Sequence, residues 1–138
     1  MELILPITIL FGLTILSLVL MAYVRISAVK NGTVKAGYFQ IYQNISDLPL
    51  PEKMIRYSRH YNNLLELPVL FYISCLVAMQ FQLTSVVEYW AWFFVISRLL
   101  LSAVHLTINL LPLRMLSFVL NIIALSGMWI TLIGNIFS

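Results

Sequence analysis

Arg56, Arg59, Asn63 and Glu66 follow one another at intervals of three, four and three residues, which on a helix brings all four to one face. Arginines grip anionic groups through paired hydrogen bonds and a carboxylate receives a cation, so a polar stripe of this kind is expected to have a task or a partner. Two more stripes follow: Arg98, Ser102, His105 and Asn109 are spaced by four, three and four, and Arg114, Ser117 and Asn121 by three and four. Metal chemistry is not expected, because one cysteine and two distant histidines offer no recognisable ligand set. The cysteine, Cys75, sits in an apolar run and reads as an inert buried thiol.

The elements that must position these side chains are helices that cross a membrane. Of 138 residues 62% are hydrophobic and only 9% are charged, with a mean hydropathy of +0.97. A soluble domain of this size carries far more charge on its surface, so the outside of the fold is expected to face lipid. The run from Leu3 to Val24 is uncharged and long enough for a hydrocarbon core, which takes ~20 helical residues. Glu2 rather than a basic cluster precedes it, which favours a retained span over a cleaved leader.

The second run, Leu67 to Phe81, is too short to cross alone. Its helix must extend backward through Asn63 toward Arg59, which draws polar residues to the membrane boundary. The third, from about Val86 to Leu106, starts with Tyr89, Trp90 and Trp92, as an interfacial aromatic belt would. The fourth runs from about Pro112 to Phe137, with the proline suited to a first helical turn. The expected architecture is an all-α membrane protein, a single four-transmembrane-helix bundle over residues 1–138, with helices at about 3–25, 54–82, 86–107 and 112–137.

Arg25, Lys30, Lys35, Lys53, Arg56 and Arg59 fall in the first connection, Arg25 to Arg59, and none in the second, Gln80 to Ser85. Basic loops stay cytoplasmic, so a long cytoplasmic loop between helices 1 and 2 and an N-terminus outside are expected. Gly32, Gly37, Pro49 and Pro51 make that loop irregular. The glycosylation-like triplets at Asn31 and Asn44 are read as chance on this side of the membrane. The eight basic residues are scattered, without the basic and aromatic run that nucleic-acid binding uses, so no nucleic-acid partner is expected.

Polar residues inside a bilayer are costly and are kept for a task or a partner. Arg98 and Asn121 lie at similar distances from the third connection, Thr107 to Leu111, which at ~1.5 Å rise per residue puts both near mid-membrane. They are expected to pair, with Arg98 facing protein. Gly127 and Gly134 on the last helix read as close helix packing.

The stretch Arg59-His60-Tyr61-Asn62-Asn63-Leu64-Leu65-Glu66-Leu67-Pro68 resembles the second-helix signature of the MAPEG family, the membrane-associated proteins in eicosanoid and glutathione metabolism. The resemblance extends over the whole chain, to Arg98 and to Leu111-Pro112-Leu113-Arg114, where enzymes of the family place the arginine that activates the glutathione thiol. It implies a homotrimer with glutathione as co-substrate, bound between subunits in the cytoplasmic half of the membrane. It also implies roles: Arg56 and Arg59 for the carboxylates, Glu66 for the ammonium, Asn63 to orient the peptide, Arg98 and His105 as further contacts, and Arg114 as the catalytic residue beside the thiolate. His105 stands where these enzymes carry a glutathione-binding tyrosine, and Met115 where some carry serine. Each departure removes a hydroxyl, although His105 can still donate one hydrogen bond.

On this reading the protein is a glutathione-dependent transferase or peroxidase acting on lipophilic electrophiles or hydroperoxides. The short, loop-poor form is similar to the bacterial branch, which implies a multi-pass protein of the bacterial inner membrane. The alternative is a non-catalytic member that holds a lipid or fatty acid. A small channel is disfavoured, since no broken helix or acidic pair recommends it.

Overall fold

The computed structural model describes residues 2–41, 50–107 and 111–138; the side chains at 40, 41, 105, 106 and 111 also lie outside what it describes. It is all-helical over these residues: α1 Ile4–Lys30, the single turn α2 Tyr38–Ile41, α3 Glu52–Gln80, α4 Thr84–Leu106 and α5 Leu111–Ile136. Four of the five are long and apolar enough to cross a membrane.

Local chemistry explains the boundaries. Pro6 and Pro112 fall in first turns, where a missing N–H costs nothing. α1 continues past Arg25 and stops at Gly32, whose φ of +69° is open to glycine without a steric penalty. The N–H groups of Gly32 and Thr33 then close on the carbonyls of Val29 and Ala28. Pro51 precedes α3 with φ −56°, and Glu52 supplies an acid to the first turn, favourable against the helix dipole. Both long helices reach into the first connection, α1 as far as Lys30 and α3 from Glu52, with α2 between them; Asn44 and its neighbours lie outside the described residues. Pro68 lies inside α3, where it leaves the Leu64 carbonyl without its ladder partner.

α3 and α4 form the middle of the bundle, with α1 against α3 and α5 against α4, and α1 and α5 do not meet. The chain runs up and down. Thr84 Oγ1 donates to Glu2 at 2.9 Å, joining the α3–α4 turn to the N-terminus, while Arg25 meets Ser58 at the opposite, basic end. The core is a column of Leu10, Phe71, Cys75, Val87, Ala91, Phe94, Ala124, Met128 and Leu132. At its centre Phe71 and Phe94 stack with centroids 4.7 Å apart and planes within 4°. The outer faces are apolar as well: Leu76 is 65% and Ile130 71% exposed. Water would penalise such surfaces and acyl chains do not.

Candidate functional site

Arg98 is completely buried in α4. Its Nη1 donates to Asn63 Oδ1 on α3 at 2.6 Å, and its guanidinium lies 5.4 Å above the Phe94 ring, one turn back on the same helix. Nε and Nη2 find no acceptor among the described residues. A buried guanidinium with two unsatisfied donors is costly unless an anion or further acceptors complete it. Glu66 lies exposed one turn beyond Asn63 on α3.

The expected pairing of Arg98 with Asn121 is not what the structure has. Asn121 is fully buried, but its Nδ2 donates to the Ser117 carbonyl at 2.6 Å and its Oδ1 accepts from Ser97 Oγ at 3.1 Å. The two residues do lie on packed helices. Asn121, however, turns toward Ser97, the neighbour of Arg98 on α4, and its capacity is used there. Ser97 thus joins α4 to α5, and with the Ser117 carbonyl within α5 it satisfies an amide that would otherwise be stranded in the core.

Beside the Arg98–Asn63 pair a recess of about 260 Å³ opens between Asn63, Leu101, Arg114, Met115, Phe118 and Val119. α5 presents Arg114 from its first turn, so a cation from α5 and an amide from α3 share one lining whose remaining walls are apolar. Met115 is 62% exposed and forms part of that wall rather than standing apart from it. The arrangement can hold an anionic group at its polar end while leaving its apolar side to a lipophilic molecule.

The rest of the polar stripe of α3 is divided. Arg59 is exposed and lines a different cavity, of about 340 Å³, with Arg25, Tyr38, Ser58 and Asn62. Arg56 is engaged by Glu52 one turn earlier. The side chain of His105, and Asn109 entirely, lie outside the described residues. No group of His, Cys, Asp and Glu placed to hold a metal occurs among the described residues.

One residue escaped the sequence reading. Arg25 counts there only as a topology signal, yet its Nε and Nη2 donate to Ser58 Oγ at 3.2 and 3.0 Å and its guanidinium sits 5.6 Å over Phe39. It is the first charged residue after the α1 apolar run, and an arginine ending such a run is the signal that was present.

Four spanning helices with a buried arginine and a polar recess toward one end define an integral, multi-pass membrane protein. The MAPEG family model matches residues 3–134, nearly the whole chain, and the protein belongs to the MAPEG family, whose members include glutathione transferases and peroxidases among others. No curated protein and no solved structure gives a significant match.

Proposed function

We propose that the protein is a glutathione-dependent transferase or peroxidase acting on lipophilic electrophiles or hydroperoxides. The observation that carries this reading is Arg98, fully buried, bonded to Asn63 and left with two donors unsatisfied next to a recess that also contains Arg114. Glutathione brings two carboxylates and an ammonium. Arg59 and Arg56 at the basic end and Arg98 deeper in supply fixed cations for the carboxylates, Glu66 a partner for the ammonium, and Asn63 an amide to orient the peptide.

Arg114 holds the sulfur. A guanidinium in a site sheltered from water favours the thiolate over the thiol, and the thiolate is the nucleophile. In conjugation it attacks an electrophilic carbon and the leaving group or adjacent atom takes up the electron pair. In peroxide reduction it attacks the distal oxygen, the O–O bond breaks and the alkoxide leaves as an alcohol after taking a proton; the resulting sulfenic acid then reacts with a second glutathione to give the disulfide and water. The lipophilic substrate reaches the sulfur from the bilayer past Met115, Phe118 and Val119.

The proposal includes the family's pattern of a homotrimer with glutathione between subunits, placed in the bacterial inner membrane with the basic end toward the cytoplasm. Titration calorimetry of the detergent-purified protein with glutathione tests the reading. Binding is expected, weakened by Arg59→Ala and Arg114→Ala. Absence of binding, with lipid co-purifying, would favour the non-catalytic lipid carrier, a reading that the apolar wall of the recess supports.

A further inference from the structure

A second recess lies at the same end of the molecule, on the far side of α3 from the first. Arg25 and Phe39 form a wall common to two adjoining cavities. On one side is the polar cavity of about 340 Å³ that also includes Ser58, Arg59 and Asn62. On the other is an apolar groove of about 590 Å³ along α1, formed by Met21, Ile26, Val29 and the stem of Lys30 with Phe39 above. From Met21 to Lys30 the groove follows α1 for ~13 Å, and Ile26 in its lining is 55% exposed.

The guanidinium of Arg25 is held in place. Ser58 takes its Nε and Nη2 and Phe39 covers its face, which leaves Nη1 without a partner among the described residues. Lys30, Lys35 and Arg59 add positive charge nearby. Among the described residues from 25 to 59 the single acid is Glu52, and Arg56 already engages it. Over the whole span from 25 to 59 six basic residues stand against Asp47 and Glu52, and a preoriented cation in this basic excess above an apolar trough calls for an amphiphile with an anionic head and a hydrocarbon tail.

The geometry points to a binding site for an anionic phospholipid, with the phosphate on Arg25 and Lys30 and an acyl chain in the α1 groove under Phe39. A free phosphate would use only the polar half and leave the groove to other lipid. A zwitterionic lipid brings no net negative charge to meet the excess of cations. The phosphate contacts, Arg25 and Lys30, lie outside the Arg98–Arg114 recess; Arg59, which borders the polar cavity, is the residue that this site shares with the proposed glutathione site.

The test uses the full chain purified in detergent, with phosphatidylglycerol and phosphatidylcholine of identical acyl chains, and sodium phosphate as the bare anion. Retained lipid is read by native mass spectrometry and stability by thermal unfolding. Phosphatidylglycerol should be retained in preference and raise Tm, while phosphate at equal concentration leaves Tm where it was. Arg25→Gln, which keeps a hydrogen bond to Ser58 without the charge, should reduce the preference about fivefold, as expected for one surface cation, and Arg25→Lys should restore it. Val29→Asp, in the trough, should lower retention of both lipids. Should Arg25→Gln fail to fold, Lys30→Gln at an exposed position has to reduce the preference in its place. Equal retention of the two lipids, a Tm shift with phosphate alone as large as with phosphatidylglycerol, or an undiminished preference in the folded charge-removing variant would overturn the assignment.

Discussion

Arg98 and Asn63 meet across the α3–α4 interface through a 2.6 Å hydrogen bond from guanidinium to amide oxygen, and this contact ties the polar stripe of α3 to the deepest charge in the bundle. It also makes the two residues unequal. Losing the amide strands a buried cation, whereas losing the cation strands only a neutral amide on a half-buried face.

Asn63→Leu is therefore expected to cost about 1.5–3 kcal/mol, the range for a hydrogen bond to a charged group, and Arg98→Met less, because an apolar side chain of similar bulk replaces an incompletely satisfied charge. The double variant should be more stable than the sum of the two losses. Thermal unfolding in detergent measures all three; strict additivity would mean the bond carries no coupling.

The Gly127 position supplies a steric prediction. A Cβ there would stand 2.6 Å from the six-membered ring of Trp90, whose Nε1 donates to Thr131 at 3.1 Å. Gly127→Ala should destabilise by about 1–3 kcal/mol through overpacking. Adding Trp90→Phe removes the crowding atoms and should recover part of the loss, despite giving up the bond to Thr131. A Tm for Gly127→Ala equal to that of the parent would show that the two helices have slack at this level.

For the sulfur chemistry the sign is set by charge. A guanidinium stabilises the anionic form of bound glutathione, so Arg114→Ala should shift the pH at which thiolate absorbance appears upward, while Arg114→Lys should shift it less. If the absorbance profile of bound glutathione is the same in all three proteins, Arg114 is not beside the sulfur.

Arg56 and Arg59 should separate in their effects. Arg56 is already paired with the exposed Glu52, an interaction worth ~0–1 kcal/mol, whereas Arg59 lines a cavity. Calorimetry with glutathione should find Arg59→Ala the more damaging substitution, and Arg56→Ala should leave thermal stability nearly unchanged. The reverse order would assign the carboxylate contact to Arg56.

The four spans and the up-and-down path could be read before any coordinates, because lipid demands long unbroken apolar runs and leaves little else for such a chain to form. Facial spacing was legible for the same reason: Arg98, Ser102, Ser117 and Asn121 are all buried, as a shared inward face requires. Depth along an axis follows from residue count, and it brought Arg98 and Asn121 to similar levels. Rotation about the axis does not follow. It is fixed by contacts such as the Phe71–Phe94 stack, and these direct Arg98 to Asn63 and Asn121 to Ser97. Arg25 was hidden differently, since its partners Ser58 and Phe39 lie on separate segments and neither is distinctive as a residue type.

Pro68 divides α3 into two rods of different character. Before it are the ionic and amide groups; after it come Phe71, Ser74, Cys75 and Ala78, all sealed in the bundle. With one rung of the backbone ladder missing at the junction, bending there takes less force than elsewhere along the helix. A tilt of the segment bearing Arg59 and Asn63 relative to the aromatic stack below would therefore be taken up at this junction rather than in the part of α3 sealed in the bundle.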